Sequence, residues 1–184
     1  MFEKDLPGQH TTGFNPEQSV SKLPLETAET MNNSWGFNLT DEHFKSTADL
    51  IRYLVRAAGA NANFLLNVGP MPNGEIQSEF AERLTEVGTW MKQYGDSIYG
   101  TRGGPVQAGP WGVTTQRGTT VYLHVLNWNQ PVLALAGIQR QVHSARLLRD
   151  GSNIEFSVVK GALVLKLPEP QTAEVDRVVA LELE

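Results

Sequence analysis

The chain has 184 residues, of which 40% are hydrophobic, and it carries a formal net charge of −5 with a pI near 5.4. This hydrophobic content is enough for a packed core, whereas the acidic balance argues against nucleic acid or an anionic membrane surface as the main partner. The sequence has no cysteine, which excludes disulfides and thiolate chemistry, and its four histidines show no metal-ligand spacing. We therefore expect no metal site and no cofactor.

The first 22 residues are rich in Pro, Gly, Thr, Asn and Gln without a sustained apolar period, which is typical of an extended loop. No basic stretch followed by an apolar one begins at Met1, and no apolar run is long enough to cross a bilayer. We expect the chain as given to be soluble. An internal start at Met1 would place any signal peptide upstream, out of view.

Two carboxylates, Glu26 and Glu29, precede an aromatic turn that contains Trp35. Residues 23–27 are apolar enough to form a strand, and Pro24 confines that strand to an extended start. Apolar walls raise the pKa of a carboxyl group, so that it can donate a proton near neutral pH, and aromatic surface packs against the apolar face of a sugar. In a single stretch of this kind, solvated glutamates and a core tryptophan are the more common arrangement.

A first helix is predicted after the aromatic turn. Thr40 offers a hydroxyl N-cap, and Asp41 and Glu42 suit the first turn of a helix. An apolar stripe then recurs every three or four residues as far as Gly59, which we expect to cap the helix in the left-handed conformation.

A second strand and a second helix follow. Residues 63–68 contain consecutive apolar side chains, which predicts a strand buried on both faces. A turn is expected at residues 72–74, and a second helical stripe runs from Ile76 to Tyr94. The order strand, helix, strand, helix is typical of an α/β barrel or a doubly wound sheet.

The hydrophobic period changes to two after a Gly/Pro-rich tract at residues 103–112, so we expect one domain at 1–102 and a second at 103–184. Turn residues are present at Asp150-Gly151 and Lys160-Gly161. Alternating or β-branched apolar segments predict an antiparallel β-sandwich. These segments are residues 121–126, 154–158, 163–167 and 179–183.

Three motifs stand in a fixed order. Glu26 is followed nine positions later by Trp35, within Ser34-Trp35-Gly36-Phe37-Asn38; residues 61–74 then read NANFLLNVGPMPNG, and residues 98–100 read IYG. In this order and spacing the sequence resembles, nearly end to end, the C-terminal part of an α-L-fucosidase of glycoside hydrolase family 29. The resemblance implies the last two or so βα units of a (β/α)8 barrel followed by a C-terminal β-sandwich.

The resemblance also implies retaining hydrolysis of terminal α-L-fucose, which requires two carboxyl groups roughly 5 Å apart. Glu26 matches the glutamate proposed as acid/base in many members. Glu29 is the less favoured alternative, because the position of the acid/base varies across the family. The nucleophile of the family is an aspartate on an earlier barrel strand and has no counterpart here, so we expect the chain alone to be inactive or nearly so.

Trp35 matches the aromatic that lines the pocket for the C6 methyl group of fucose, while ordinary core packing remains the alternative. Asn67, at the end of the predicted strand, could orient a loop or a substrate hydroxyl, and a structural hydrogen bond is the favoured role. Four aromatics of the second half could stack on glycans, but alternating strands bury one residue in two, which favours a core role. They are Trp111, Tyr122, Trp128 and Phe156.

The partners implied by the resemblance are a fucosylated oligosaccharide or glycoconjugate and the upstream half of the barrel, and the implied location is periplasmic or secreted. A second hypothesis is a non-catalytic fucose-binding, glycan-binding or scaffold protein that retains part of the fold. A third is another retaining hydrolase of similar barrel-plus-sandwich architecture.

Overall fold

A computed structural model of the chain describes residues 2–3, 25–128, 130–169 and 174–184. Apart from a short strand at residues 2–3, the extended loop expected for the first 22 residues lies outside this range. The helices are α1 (Thr47–Gly59) and α2 (Ser78–Tyr94), and one turn of 3-10 helix follows at Gly95–Ser97. The strands are β1 (Phe2–Glu3), β2 (Leu25–Thr30), β3 (Ala62–Asn67), β4 (Arg102–Gly103), β5 (Gly112–Arg117), β6 (Thr120–Val125), β7 (Val132–Leu135), β8 (Val142–Leu147), β9 (Glu155–Val159), β10 (Ala162–Lys166) and β11 (Arg177–Leu183).

The N-terminal sheet contains three parallel strands in the order β1-β2-β3. Leu25 lies opposite Ala62 and Thr30 lies opposite Asn67. α1 connects β2 to β3, as expected for a parallel pair. Both helices pack on one face of the sheet around a cluster that includes Met31, Leu50 and Phe80. The predicted order of strand, helix, strand and helix is therefore confirmed.

The prediction that residues 63–68 form a strand buried on both faces is wrong. β3 spans Ala62–Asn67, and its side chains alternate between exposed and partly buried, with Leu65 43% exposed. Leu66 packs toward the helices, whereas Leu65 lies on the opposite face, which no described element covers. A cavity of about 560 Å³ lies beside β3, lined mainly by apolar side chains of the strand and both helices.

The predicted start of α1 at Thr40 is also wrong. The N-cap is Ser46, whose Oγ accepts a hydrogen bond from the Asp49 N–H at 3.1 Å, so residues 41–46 precede the helix. The helix ends at Gly59 as expected, but the left-handed residue is Asn61, with φ of 63°. Gly59 is needed for close packing, since a Cβ there would lie 2.6 Å from the Cβ of Val113 on β5.

The turn and the second helix agree with the predictions. The N–H of Gly74 donates to the Met71 carbonyl at 2.8 Å, which closes the turn at residues 72–74. α2 begins at Ser78, two residues after the predicted Ile76, and buries Phe80 and Tyr94, whereas Leu84 is 40% exposed. No helix in the described parts of the chain is both long and apolar enough to cross a membrane.

The C-terminal part consists of two antiparallel sheets, one with the strand order β4-β5-β6-β11-β8 and one with the order β7-β10-β9. Apolar side chains from both sheets form one core, which confirms the predicted β-sandwich. Among the fully buried members are Val121, Leu123, Leu165, Val179 and Leu181.

Both turns predicted in the sandwich are present, but only one of them joins two strands of the same sheet. Lys160 and Gly161 both have positive φ and join β9 to β10 as a hairpin, as expected. Asp150-Gly151 also forms a turn, which connects β8 of the five-stranded sheet to β9 of the three-stranded sheet. The residues after this turn pair with β8 at an isolated bridge between Arg146 and Asn153. β4, β5, β7 and β8 lie outside the predicted segments.

Helix α1 packs on the sandwich across the predicted boundary at residue 102. Ile51 and Val55 of α1 join Val113 of β5 and Leu126 in one buried cluster. β5 is therefore covered on both faces, and its residues 112–115 are all buried. A strand buried on both faces loses the alternating pattern, which explains why its sequence did not predict it.

A buried polar network lies on the same side of the five-stranded sheet. His124 Nδ1 lies 2.7 Å from Asp176 Oδ2, and neither side chain is exposed to solvent. His124 Nε2 lies 3.2 Å from Thr115 Oγ1, which donates to the Ser97 carbonyl at 2.6 Å. The only hydroxyl proton of Thr115 is used in that bond, so Nε2 donates to Thr115. The contact between Nδ1 and Oδ2 gives the second ring nitrogen a partner as well.

Candidate functional site

Strand β2 places the two candidate carboxylates on opposite faces of the N-terminal sheet. Glu26 is in register with Asn63 of β3, and Glu29 is in register with Leu66. Side chains alternate along a strand, so residues three positions apart face opposite sides. Leu66 packs against the helices, which puts Glu29 on the helix side and Glu26 on the open side.

On the open side, the carboxylate of Glu26 accepts one hydrogen bond from a neighbouring strand. Asn63 Nδ2 donates to Glu26 Oε2 at 2.8 Å. The amide of Asn63 can serve this oxygen whether the carboxyl group is ionised or protonated, so Oε1 remains the oxygen that can carry and transfer a proton. This arrangement suits a group that gives and takes a proton at an open surface.

On the helix side, the carboxylate of Glu29 makes structural contacts through one of its oxygens. Its Oε1 accepts the N–H of Thr30 at 2.8 Å and lies 3.3 Å from Lys45 Nζ. The side chains of Glu29 and Lys45 are only 17% and 21% exposed. A paired carboxylate under a helix has little access to a substrate.

Trp35 lies in a loop formed by residues 31–46, which we name the Trp35 loop. Its side chain is 60% exposed, so the alternative that Trp35 belongs to the core is wrong. The loop follows the carboxyl end of β2, and parallel α/β proteins place their ligands at this edge. An exposed indole at this position provides the flat apolar surface on which a sugar methyl group can pack.

The carboxylate of Asp41 organises the Trp35 loop from within. Its Oδ2 accepts the N–H of Asn33 at 2.9 Å and the hydroxyl of Ser34 at 2.7 Å, and its Oδ1 accepts the N–H of His43 at 3.3 Å. The side chain is 5% exposed. The Ser34 hydroxyl and the two backbone N–H groups hold the pKa of Asp41 below its ordinary value of 3.8, against the burial that raises it.

Lys45 closes the base of the same loop. Its Nζ donates to the Asn32 carbonyl at 2.8 Å and to Thr30 Oγ1 at 3.2 Å, and its backbone N–H donates to the Met31 carbonyl at 2.8 Å. The Thr30 hydroxyl itself donates to the Asn32 carbonyl. The loop therefore starts and ends at the tip of β2.

Strand β3 supports the Trp35 loop from the other side. Asn67 Nδ2 donates to the Trp35 carbonyl at 2.7 Å, so Asn67 orients the loop, one of the two roles expected for it. The buried Gly69 touches the loop backbone, and a Cβ there would lie 2.4 Å from the carbonyl carbon of Gly36 and 2.6 Å from the Phe37 nitrogen. The backbone around Trp35 is fixed by these contacts.

Glu26 and the Trp35 loop lie at different positions along the length of strand β2. Glu26 pairs with Asn63 and Thr30 with Asn67, four positions further along the strands. At about 3.3 Å per residue, this separation is about 13 Å. Glu26 therefore lies well before the end of β2 from which the Trp35 loop departs.

The open face of β2 and β3 carries one carboxyl group. By register and alternation, its side chains are Glu26, Ala28, Thr30, Asn63, Leu65 and Asn67. The described residues contain no group of three or more His, Cys, Asp or Glu side chains that could hold a metal ion. The described part of this face thus supplies one acid, amide donors and an aromatic platform.

The sandwich aromatics serve the core, as favoured from the sequence. Tyr122 is 5% exposed, and the other three side chains pack against the sandwich core. The guanidinium of Arg177 lies 5.5 Å from the ring centroid of Trp128.

Sequence reasoning missed Asp41, Lys45, Asn63 and Gly69. Asp41 was assigned to a helix that starts six residues later. Ser46 and Asp49 carried the better signal, because a serine followed three positions later by an acidic residue is close to a capping box. That start would have left Asp41 in the loop, where its carboxylate needs partners.

Comparison with known proteins adds the following. A sequence profile of the alpha-L-fucosidase family matches residues 1–96. The alpha-L-fucosidase of Branchiostoma floridae is 32% identical over 114 residues, which cover 58% of this chain and 25% of that protein. The chain therefore spans about a quarter of the length of this relative.

Two solved structures resemble the fold. Alpha-L-fucosidase isoenzyme 1 from Paenibacillus thiaminolyticus is 34% identical, with a TM-score of 0.83, over 99% of this chain and 44% of that one. A GH29 alpha-L-fucosidase from Bacteroides thetaiotaomicron, solved as a trapped covalent intermediate, is 23% identical, with a TM-score of 0.85, over 100% of this chain and 42% of that one.

Proposed function

The chain belongs to the alpha-L-fucosidase family, glycoside hydrolase family 29, and on that premise we propose that it supplies part of the site that hydrolyses terminal α-L-fucose in fucosylated glycans. Its strand-helix-strand-helix part corresponds in this proposal to the last βα units of a (β/α)8 barrel, over residues 1–102, and residues 103–184 form the C-terminal sandwich. A periplasmic or secreted location belongs to the same proposal.

One observation carries the proposal. Trp35 is exposed on a loop whose backbone is held by Asp41, Asn67 and Gly69, at the carboxyl end of two parallel strands. An exposed apolar side chain on a loop that is held in one conformation is typical of a preorganised binding surface. The C6 methyl group of fucose would gain about 1 kcal/mol by packing on the indole.

Within this proposal Glu26 is the acid/base and Glu29 is not. Glu26 faces the open side with Oε1 available, whereas Glu29 is paired with Lys45 beneath α1. The mechanism is retention of configuration through a covalent intermediate, and such an intermediate is named for the Bacteroides enzyme. It requires a second carboxylate near the sugar.

The second carboxylate is proposed to come from upstream barrel strands of a longer protein. The open face of β2 and β3 offers Glu26 as its one carboxyl group, Leu65 on that face is 43% exposed, and the outer edge of β3 pairs with no described strand. We expect no turnover of an aryl α-L-fucoside by the purified chain. Turnover that disappears in Glu26→Gln would show that the chain needs no additional carboxylate.

The first test of the proposal is binding. Purified chain is titrated with L-fucose, with D-galactose as the control sugar, and tryptophan fluorescence and thermal unfolding are followed together. Saturable stabilisation that is selective for L-fucose and lost in Trp35→Ala is the expected result. A cooperatively folded chain that responds to neither sugar would contradict a usable sugar site in this chain.

The same observation favours a second candidate, a fucose-binding protein without hydrolytic activity. The Trp35 loop is held by contacts within this chain, so it does not need further strands for its shape. Selective fucose binding together with no turnover, even when upstream barrel sequence of a relative is supplied in trans, would favour this candidate over the enzyme.

A further inference from the structure

We infer that Asp41 is a positioning residue, whose carboxylate sets the orientation of Trp35 toward the sugar. The inference rests on the proposed function for the role of Trp35. The carboxylate of Asp41 accepts its hydrogen bonds from Asn33, Ser34 and His43.

The contacts of Asp41 converge on the residues just before Trp35. Asn33 and Ser34 are the two residues that precede the tryptophan, and both donate hydrogen bonds to the same carboxylate oxygen, at 2.9 and 2.7 Å. Asn38 Nδ2 in turn donates to Ser34 Oγ at 3.2 Å from the far side of the turn. The backbone that leads into Trp35 therefore cannot rotate without breaking bonds to a buried carboxylate.

The charge of Asp41 strengthens this control. Hydrogen bonds to an ionised acceptor are about twice as strong as those between neutral groups. His43 is the charged or titratable group facing the carboxylate, with its Nδ1 3.9 Å away, and its side chain is 84% exposed. The pKa of Asp41 lies below its ordinary value, chiefly through Ser34, so the carboxylate is ionised at neutral pH.

The burial of Asp41 also shows that it is not an ordinary surface carboxylate exposed to solvent. A carboxylate that is 5% exposed pays a desolvation cost, which its three donors offset. A loop that only had to connect β2 to α1 could omit this group. The hydrogen bonds to Asp41 instead hold residues 33–41 in one backbone path.

The experiment compares Asp41→Asn with Glu42→Gln, a matched control in which the adjacent exposed acid loses its charge. Affinity for L-fucose, hydrogen exchange of the peptide covering residues 31–46 and the free energy of unfolding are measured for each variant. We expect Asp41→Asn to weaken fucose binding about tenfold and to speed exchange in the loop, while exchange in β2, β3 and the sandwich stays at the wild-type rate. Glu42→Gln should match the wild type in all three.

The outcomes separate the two proposals. If the wild-type chain does not bind L-fucose, the proposed function fails, and with it the part of the inference that concerns the sugar; the exchange measurement then decides whether Asp41 orders residues 31–46. Unchanged loop exchange in Asp41→Asn would overturn the inference. Faster loop exchange with unchanged fucose affinity would overturn it too, because Asp41 would then order the loop without positioning Trp35 for the sugar.

Discussion

Glu26 and Glu29 differ in what their charges do for the folded chain. Glu29 forms an ion pair and a backbone hydrogen bond in a partly buried layer, while Glu26 accepts one amide bond at an open face. Removing a charge from a partly buried pair leaves the partner poorly solvated, whereas removing one at an exposed site changes little.

We therefore expect Glu29→Gln to lower the free energy of unfolding of the chain by about 1 to 2 kcal/mol, and Glu26→Gln to change it by less than about 0.5 kcal/mol. Urea denaturation of both variants measures the difference. Equal losses would contradict the assignment of the two side chains to opposite faces.

At the scale of residues, the sequence was informative about side chains whose chemistry is local. The sequence shows Glu26 nine positions before Trp35, and it also indicates the alternative role of each side chain. The role of Asp41 was missed because Thr40 was chosen over Ser46 as the start of α1, although Ser46 and Asp49 carried the better capping signal.

At the scale of elements, the contact between β3 and the Trp35 loop determines how the loop is shaped. Gly69 lies against the backbone of Gly36 and Phe37, where any side chain would displace the loop. Gly88, on α2, has no atom within 4 Å of the position of a Cβ. The two glycines therefore offer a matched pair for substitution by alanine.

We expect Gly69→Ala to weaken L-fucose binding at least tenfold, because a Cβ 2.4 Å from a backbone carbon forces the loop to move. Gly88→Ala should raise the free energy of unfolding by about 0.5 to 1 kcal/mol through helix propensity and leave binding unchanged. Fluorescence titration and thermal unfolding measure both effects. A Gly69→Ala chain with wild-type affinity would show that the loop position does not matter for the sugar.

The elements themselves were predictable where one face is buried and the other is not. The segments at 154–158, 163–167 and 179–183 alternate and form β9, β10 and β11 in essentially the predicted places. The burial of β3 and β5 was not predicted correctly, for opposite reasons. β3 has consecutive apolar residues, but one of its faces is uncovered. β5 carries the polar residues Thr114 and Thr115, but both of its faces are covered. Burial there depends on distant elements.

At the scale of the whole molecule, the buried pair of His124 and Asp176 ties β6 to the segment that leads into β11. The 2.7 Å contact between His124 Nδ1 and Asp176 Oδ2 offsets part of the cost of burying the two side chains. Within the described residues Asp176 Oδ1 has no hydrogen-bond partner. Only Oδ2 thus connects this aspartate to the network.

We expect Asp176→Ala to lower the free energy of unfolding by about 3 kcal/mol or more, because it leaves the buried His124 Nδ1 without a partner. Asp176→Asn should cost clearly less, since the amide can donate to Nδ1 of a neutral imidazole. Chemical denaturation of the two variants tests this order. An asparagine variant as unstable as the alanine variant would mean that the pair needs its carboxylate charge.

The proposed division at residue 102 separates two topologies, but α1 and the sandwich share one buried cluster. We expect a single cooperative unfolding transition, and we expect Val55→Ala to shift it by about 1 to 3 kcal/mol for both parts together. Calorimetry combined with hydrogen exchange of the two parts is the measurement. Two separable transitions would show that the parts are energetically independent.

The close approach of Gly59 to Val113 also constrains evolution by recombination. A crossover near residue 102 would join a helix from one parent to a sandwich from another, and the pair at 59 and 113 would be inherited from different ancestors. A parent with alanine at the helix position would clash with a branched side chain on β5. Exchange of whole sandwiches between such chains should therefore succeed only where the helix keeps a glycine at position 59 or the incoming strand carries a smaller residue at position 113.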